Sequence, residues 1–358
     1  MKTRALDIYP SFRCLCGACP DTCCAGWDVE IHKQTREYYL RLEGPLGERA
    51  VGALQKEDGE WSFRLEGGRC PFLMDDGLCE LQKTLGPGSV SRTCRLFPRT
   101  LADFGAVREV SLSIACPEAA RLLLTHTDPL RMIEWDTDEP MGYTDADGDR
   151  YYLALSLRRR LISLAQDRSL PFPVRLSLCV CLAREAAARD RSGGDVSGVL
   201  ARWDDPACVS GQIAALSPSA WAPSARERLL HTIDHMERLT DRWDGHLALI
   251  RAGSPDGRWD APEYEYENLL VYYLFRYFMD CLYDGFYLPV KLAAVSVYMI
   301  RCLWQAQPRF PQRDERQNLM RLYSREVENS QNNLDDLLSL LCRPPLSDGR
   351  ALISLILS

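Results

Sequence analysis

The residues best suited to chemistry in this sequence are its cysteines, of which there are 15 among 358 residues. Thiolates bind zinc, Cu(I) and iron–sulfur clusters. In a reducing compartment, clustered thiols bind metal more often than they form disulfides. The crowding of cysteines in the first third therefore predicts a metal centre there. The nine cysteines of this stretch are Cys14, Cys16, Cys19, Cys23, Cys24, Cys70, Cys79, Cys94 and Cys116.

Their spacing bears on the choice of metal. Zinc modules usually use two close cysteine pairs. Cys16 and Cys19 make one such pair, but the later cysteines lie too far apart to make the second. Iron–sulfur clusters tolerate less regular spacing. Adjacent Cys23 and Cys24 project differently and are not expected to bind the same iron. The Cys-x3-Cys-x2-Cys signature of radical S-adenosylmethionine enzymes is absent, because the order here is x2 and then x3.

The motifs around these cysteines resemble the flagellin lysine-N-methylase family, FliB. Similar cysteine patterns also occur in smaller zinc- or iron-chelating proteins. The likeness covers most of the chain, since the second half adds Tyr266-Glu267-Asn268-Leu269-Leu270-Val271-Tyr272 and Arg301-Cys302. The N-terminal motifs are Cys14-x4-Cys19-x3-Cys23-Cys24-x-Gly26-Trp27, Arg69-Cys70-Pro71-Phe72-Leu73 with Gly77-Leu78-Cys79, Thr93-Cys94-Arg95-Leu96-Phe97-Pro98-Arg99, and Ser113-Ile114-Ala115-Cys116-Pro117-Glu118.

The resemblance implies a protein-lysine N-methyltransferase that transfers methyl groups from S-adenosylmethionine to lysine side chains of flagellin and carries a [4Fe-4S] cluster. A cubane takes four cysteine ligands. The eight matching cysteines therefore leave a surplus, which fits either a second metal site or spectator thiols, and zinc stays the alternative metal. Cys16 lies outside the family pattern. The matching cysteines are Cys14, Cys19, Cys23, Cys24, Cys70, Cys79, Cys94 and Cys116.

A methyl donor needs polar and aromatic partners, and three residues near the cysteines are candidates. Arg95 and Arg99 could grip a carboxylate or neutralise an anionic cluster, or they could be ordinary ion-pair arginines. Trp27 could shield the cluster or stack on adenine, or it could be a core aromatic residue. No Gly-rich loop follows a clear strand, so a Rossmann-type domain is not expected and the donor pocket stays unlocated.

The acceptor lysine must be neutral to attack a methyl group, although its ordinary pKa is about 10.4. The site must therefore desolvate the ammonium group or supply a base. Tyr266 and Glu267 are weak candidates for this role, because they lie in an apolar helical segment. A carboxylate buried there would be costly without a partner. The simpler interpretation places Glu267 on a helix surface.

The expected fold is mainly α, with three parts. Residues 1–126 form an irregular cysteine-rich metal module with short strands, one of them within 61–65, a helix over 28–42 and a short helix after Ala115. Residues 127–149 are acidic and turn-rich and are expected to be a linker. Residues 150–358 predict an all-α bundle. Its helices are expected at 151–166, 174–189, 224–250, 263–283, 289–305 and 312–329.

Composition narrows the possible functions. The net charge is −7 with no basic stripe, so a nucleic-acid partner is not expected. No stretch approaches the roughly 20 apolar residues that a membrane span needs. The N-terminus lacks a signal-peptide pattern, which favours a cytoplasmic protein. The oligomeric state stays open. Two other classes compete with the methyltransferase: a non-enzymatic zinc- or iron-binding module, and an iron–sulfur redox protein.

Overall fold

A four-stranded mixed sheet joins segments that lie far apart in the sequence. The computed structural model describes residues 1–27, 29–57, 59–217, 222–253 and 257–358. The strands are β1 (Lys2–Leu6), β2 (Leu54–Glu57), β3 (Glu60–Phe63), β4 (Arg99–Phe104), β5 (Val107–Leu112) and β6 (Met132–Asp136). The sheet order is β4-β5-β1-β6, with β1 parallel to β5 and antiparallel to β6, while β2 and β3 pair as a hairpin.

The acidic segment 127–149, expected to be a linker, contributes β6 to this sheet. β6 pairs along all of β1, from Lys2 opposite Asp136 to Leu6 opposite Met132. The Thr137 amide also donates a hydrogen bond to the Met1 carbonyl at 2.8 Å. Because these partners lie about 130 residues apart, local sequence patterns do not reveal the pairing.

The first third also contains short helices, while longer helices form most of the rest. The short helix expected after Ala115 is confirmed and spans Pro117–Thr125. The early helices are α1 (Lys33–Arg41), α2 (Pro45–Gly52), α3 (Glu80–Leu85), α4 (Arg92–Leu96) and α5 (Pro117–Thr125). The later helices are α6 (Gly148–Ala165), α7 (Phe172–Arg191), α8 (Val196–Trp203), α9 (Pro206–Ala215), α10 (Ala222–His235), α11 (Trp243–Ala252), α12 (Glu263–Tyr277), α13 (Cys281–Asp284), α14 (Leu288–Gln305), α15 (Arg313–Tyr323), α16 (Gln331–Leu341) and α17 (Gly349–Leu357).

The apolar periodicity predicts several of these helices well. The helices expected over 151–166, 174–189 and 289–305 are confirmed as α6, α7 and α14, with ends shifted by three residues or fewer. Local caps explain some of the boundaries. The Asp147 carboxylate accepts a hydrogen bond from the Arg150 amide at 2.8 Å at the start of α6. Pro289 occupies the first turn of α14, where its missing N–H is not needed.

The single helix expected over 224–250 is wrong, because α10 ends at His235 and α11 begins at Trp243. Arg238 folds back and donates hydrogen bonds to the carbonyls of Ile233 and Met236 at 3.1 and 2.6 Å. The Leu239 amide donates instead to the Glu326 carboxylate at 2.9 Å. Contacts with a distant part of the chain therefore replace the helical hydrogen bonds that would continue α10.

Three other expected boundaries also differ. The helix expected over 312–329 ends as α15 at Tyr323 and continues as a π-helical turn over Ser324–Glu328. The helix expected over 263–283 divides into α12, a 3-10 turn over Phe278–Asp280, and α13. Of the helix expected over 28–42, only Lys33–Arg41 forms, and Asp28 lies outside the described residues.

The main hydrophobic core lies among the helices, where α12 and α14 are buried along almost their whole length. Arg4 of β1 and Arg158 of α6 both bind the Glu109 carboxylate of β5, at 2.9 and 2.7 Å. This buried ion network joins the sheet to the helices. No helix in the described part of the chain combines the length and apolar character needed to cross a bilayer.

A cysteine-lined cavity as the candidate functional site

All nine N-terminal cysteines line one cavity of about 460 Å³. Its wall comes mostly from the cysteine-rich third, and Arg325 and Asn329 add to it from the helical part. Cys14, Cys16 and Cys94 are exposed, while the other six are partly buried. The structure thus brings together every cysteine that the sequence singled out, although they span more than 100 residues.

The first loop of the cavity is shaped by a tight turn over Cys16–Ala18. Cys16 adopts a left-handed backbone with φ of 51°, and its amide lies 3.4 Å from the Cys14 Sγ in a hydrogen bond. Gly17 packs so closely that an added Cβ would lie 2.4 Å from the Asp76 carbonyl oxygen. A side chain at residue 17 would therefore push this loop away from the second one.

The second loop is held to the first by backbone hydrogen bonds. The Cys70 amide donates to the Cys24 carbonyl at 2.9 Å, and the Gly26 amide donates to the Gly68 carbonyl at 2.7 Å. Cys79 follows a turn and lies opposite Leu73 in an isolated β-bridge. These bonds bring Cys24, Cys70 and Cys79 to the same side of the cavity.

The remaining two cysteines come from helical segments. Cys94 lies within the short helix α4. Cys116 immediately precedes α5, where the amides of Ala119 and Glu118 act to lower the pKa of its thiol. Burial outweighs this effect, so the pKa of Cys116 is still raised above its ordinary value.

The thiols influence one another electrostatically. Burial is the main cause that raises the pKa of Cys70 to about 11 and that of Cys94 to about 12, and neighbouring thiolates add to both shifts. The Cys23 thiol hydrogen-bonds to Cys24, and this contact lowers the pKa of Cys24 to about 6 and raises the pKa of Cys23. A bound cation would relieve the repulsion among these thiolates, and thiolate is a donor that zinc and iron–sulfur clusters take.

The structure does not itself show a metal centre. Among the residues it describes, no three side chains of His, Cys, Asp or Glu are near enough to one another to hold one metal ion. The thiols instead surround the cavity. The metal ligands predicted from the sequence therefore stay a prediction, now with all eight lining one space.

The three predicted cofactor residues also line this cavity. Trp27 donates from its indole nitrogen to the Cys23 carbonyl at 2.8 Å, and its ring centre lies 5.5 Å from that of Phe97. The Arg99 guanidinium lies 5.0 Å from the ring centre of Phe12. Arg95 is exposed at the cavity wall. All three are therefore placed to meet a molecule bound beside the cysteines.

The two candidates for lysine deprotonation lie elsewhere, because neither Tyr266 nor Glu267 is among the residues that line this cavity. Glu267 is fully buried and bound to Arg168 and Arg175 at 2.9 and 2.8 Å, so its expected position on a helix surface is wrong. Tyr266 is also fully buried, with its ring 5.2 Å from that of Trp304. Both side chains help to pack the helical core.

The sequence alone does not identify Arg325, which lines the cavity from the helical side, or its neighbour Arg321. Arg321 and Arg325 both bind the Asp21 carboxylate, and Arg325 also donates to the Ala25 carbonyl at 2.9 Å. A second cavity of about 310 Å³ shares Asp21 and Arg325 with the first and adds Arg242 and His246. The four-residue spacing of Arg321 and Arg325 places them on one helix face, but nothing in the sequence links them to residue 21.

Fold and site together define a mainly helical protein with a cysteine-lined cavity where its N-terminal third meets its helices. The chain belongs to the FliB lysine N-methylase family, because the family profile described as the FliB lysine N-methylase C-terminal domain matches residues 158–353, more than half of the chain. The matched residues lie in the helical part, and the nine cavity cysteines precede them.

Individual relatives are similar over a shorter region. The lysine-N-methylase of Salmonella typhimurium is 35% identical over 130 residues, which are 34% of this chain and 32% of that relative. The flagellar biosynthetic protein FliU of Salmonella muenchen is also 35% identical over 130 residues, covering 34% of this chain and 77% of FliU. The match thus spans about a third of the length of the lysine-N-methylase. No solved structure gives a significant match.

Proposed function

We propose that this protein is a protein-lysine N-methyltransferase that uses S-adenosylmethionine as methyl donor and flagellin as substrate, with a [4Fe-4S] cluster held by cysteines of the cavity. Family membership supports lysine methylation, and the names of the relatives support a flagellar substrate. The observation that carries the proposal is the single cavity that gathers nine cysteines beside Trp27, Arg95 and Arg99.

The cysteine thiolates would hold the cluster, and basic side chains around them would offset its negative charge. Arg95, Arg99 and Arg325 all reach the cavity wall. Arg325 is already paired with Asp21 at 3.4 Å, whereas Arg95 is exposed. Arg95 is therefore the side chain best placed to meet an incoming carboxylate, and a guanidinium can bind a carboxylate through two hydrogen bonds.

When bound, S-adenosylmethionine would supply the methyl group on its sulfonium. Its amino-acid carboxylate would pair with Arg95, and Trp27 would stack on its adenine. The apolar side chains of Phe12, Phe63 and Phe97 line the same cavity and would exclude water from the reacting atoms. Binding here needs no Gly-rich phosphate loop, because the donor carries no phosphate.

The cavity also favours a neutral acceptor amine. The carboxylates of Asp21 and Glu118 line it, but each already pairs with arginine, Glu118 with Arg121 at 2.6 Å. A substrate ammonium group would therefore meet apolar walls and nearby guanidinium groups rather than an unpaired carboxylate from these two residues. Desolvation and neighbouring positive charge both lower the pKa of a lysine.

The test is a methylation assay. The full chain, purified and reconstituted with iron and sulfide without oxygen, is incubated with S-adenosylmethionine and flagellin encoded in the same genome. Mass spectrometry of the flagellin should show added methyl groups on lysines. Absence of any methyl increment from protein with a full cluster would refute the proposed activity.

A matched pair of variants tests the role of the cavity. Arg95→Ala should lower kcat/KM at least roughly ten-fold, because it removes a charge that faces the donor. Arg64→Ala changes an exposed arginine of the same cysteine-rich third that is not among the cavity residues, and it should leave the rate unchanged. Equal rates for the two variants would show that Arg95 does not take part in donor binding.

A further inference from the structure

Strand β4 forms one edge of the four-stranded sheet and begins at the cavity. Pro98, which precedes the strand, and Arg99, which opens it, both line the cavity wall. The sheet order places β5 on one side of β4 and, among the described strands, none on the other side. The cavity is therefore continuous with a strand whose outer row of backbone groups is not used by the sheet.

The two-residue turn after β4 fixes which backbone groups point outward. Gly105 adopts φ of 65° in this turn, and Phe104 and Val107 close it as partners in the register. The residues that close such a turn share a hydrogen bond. Bonded and non-bonded pairs then alternate along an antiparallel ladder. The amide and carbonyl of Leu101 therefore face away from β5, and within the described chain no backbone group from beyond the sheet bonds to them.

The two edges of the sheet differ in their protection. Charged side chains often shield the edge strands of soluble proteins, because a free row of amides and carbonyls can pair with another extended chain. β6, at the opposite edge, carries the carboxylates of Glu134 and Asp136. The middle of β4 is uncharged, and its Thr100 and Ala102 are exposed. β4 is therefore the edge that is more open to an added strand.

The far end of β4 meets an extended segment whose outer face is acidic and aromatic. The Gly142 amide ties this segment to the turn after β4 by donating to the Gly105 carbonyl at 3.0 Å. Exposed and half-buried side chains alternate over residues 141–147. The Tyr283 hydroxyl donates to the Asp145 carboxylate at 2.7 Å and adds a further exposed ring. The outward side chains, called the acidic strip below, are Met141, Tyr143, Asp145 and Asp147.

The acidic strip suits a cationic partner. Carboxylates attract ammonium and guanidinium groups, and so does the face of an aromatic ring. Tyr143 is 85% exposed, so its ring is free to meet such a group. A lysine-bearing protein segment is the partner that combines an extended backbone for β4 with positive charge for the strip.

We propose that an extended, lysine-bearing segment of the protein substrate pairs with the outer edge of β4. Its backbone bonds to β4, the acidic strip binds its further basic side chains, and the cavity receives the acceptor lysine. β4 spans about 17 Å from Arg99 to Phe104, so the strip meets a side chain about five residues from the acceptor lysine. Backbone pairing of this kind is a known mode of peptide recognition. The inference rests on the proposed function, because it assigns the binding mode of that substrate.

The first test measures binding of short flagellin peptides, each with one lysine, to the full chain without methyl donor. N-methylation of single peptide amides removes one donor and leaves the side chains unchanged. Amides of an added strand face β4 at every second residue, so N-methylation at alternate positions should raise Kd at least about ten-fold, and at the positions between less than about two-fold. Equal effects at all positions, or no binding by any lysine peptide, would overturn the inference.

The outcomes separate this inference from the proposed function. Peptide binding with the alternating pattern, but no methyl transfer to flagellin, would refute the proposed activity and keep the binding mode. Methyl transfer without the alternating pattern would overturn the binding mode and keep the activity.

A matched pair of proline variants tests the edge from the side of the protein. Leu101→Pro removes an outward amide of β4, a change that edge strands tolerate, and should raise the Kd of the peptides at least about ten-fold. Asp136→Pro is the control at the opposite edge. Its amide also points outward, because the neighbouring Thr137 amide donates to Met1 of β1's end. Equal melting temperatures would show that both variants fold, and equal Kd values would then contradict pairing at β4.

A milder change tests the acidic strip. Tyr143→Ala with Asp145→Asn should raise the KM for flagellin several-fold and leave kcat nearly unchanged, because the strip contacts the substrate away from the reacting atoms. Leu40→Ala, which alters an exposed apolar residue of α1, should change neither constant. An unchanged KM in the double variant would remove the strip from the binding surface.

Discussion

The helical part and the cysteine-rich third of this protein are stabilised in different ways. The helical part buries large apolar side chains in one extensive core and pairs charges within it, as Glu265 does with Arg316 at a distance of 2.7 Å. In the cysteine-rich third, residues such as Leu6, Ile114 and Leu123 belong to this core. The segments around most of the cysteines instead pack on two much smaller apolar clusters and are ordered largely by turns and backbone hydrogen bonds. Small cores contribute little stability by themselves, so a metal bound as proposed would add to the stability of these segments.

The two regions are nevertheless joined at specific points. Glu109 of β5 binds Arg158 of α6 deep in the structure. Asp21 beside the cavity binds Arg321 and Arg325 from the other end of the chain. Both of these contacts between the two regions are ion pairs. Their geometry should therefore be sensitive to the loss of one partner, since the remaining charge is left buried.

The largest expected loss of stability comes from breaking the ion pairs of Glu109. Glu109→Gln leaves Arg158 buried without a carboxylate and Arg4 with Glu134 alone, and it should lower the free energy of unfolding by about 3–5 kcal/mol. Urea denaturation should show one transition at a lower midpoint, because sheet and helices unfold together. Glu37→Gln, which breaks the exposed pair with Arg41, is the control and should leave the midpoint unchanged. An unchanged midpoint for Glu109→Gln would show that the ion network does not join the two regions.

The stability difference between wild type and Glu109→Gln should also depend on pH. Burial alone would raise the pKa of Glu109, but Arg158 and Arg4 outweigh burial and hold it below the ordinary value of 4.5. The charged carboxylate therefore stabilises the fold above about pH 4.5, and this stabilisation is lost as the pH falls through the lower pKa of the folded state. The stability difference between wild type and Glu109→Gln should thus be constant near neutrality and shrink in acid. A difference that grows in acid would contradict the assigned direction.

A smaller loss of stability, confined to the loops around the cavity, is expected from a substitution at Gly17. Gly17→Ala introduces a Cβ against the Asp76 carbonyl, and crowding of this kind typically costs about 1–3 kcal/mol. Amide hydrogen exchange should increase in the loops around residues 14–24 and 74–79, while the helices α12 and α14 keep their protection. Gly88→Ala, where an added Cβ meets nothing within 4 Å, is the matched control. Faster exchange in the helices would show that the cysteine-rich third is not the separately stabilised region.

The contrast between the two regions also explains what the sequence could predict. Helices α6, α7 and α14 follow from apolar residues three and four positions apart, which is a local signal. The break between α10 and α11 depends on Glu326, about 90 residues away, and β6 depends on pairing with β1. Such long-range contacts leave no local pattern. The sequence therefore predicts the type of most helices in the second half but not the sheet.

The candidate site shows the same difference between local sequence patterns and long-range contacts. Cysteine spacing and motif resemblance identify the cavity residues of the first third, including Trp27, Arg95 and Arg99. They do not identify Arg325, which reaches the cavity from a π-helical turn about 300 residues after Asp21. Tyr266 and Glu267 stand in a matching motif, yet their burial gives them a place in the helical core. A shared motif thus does not show by itself whether a residue lies at the cavity or in the core.

The smallest expected effect tests the helical part alone. The carboxylate of Glu328 accepts hydrogen bonds from Tyr272, Tyr273 and Tyr277 at 3.0, 2.9 and 2.8 Å. Tyr272→Phe removes one of the two hydrogen bonds to Oε2 and should lower the free energy of unfolding by about 1 kcal/mol, because Tyr277 still donates to Oε2 and Tyr273 to Oε1. Tyr264→Phe, whose hydroxyl lies at the surface, is the control and should have no measurable effect. If the two regions are stabilised separately, Tyr272→Phe should leave the iron content of the reconstituted chain unchanged. A parallel loss of iron would show instead that the π-helical turn carrying Glu328 and Arg325 transmits the change to the cavity.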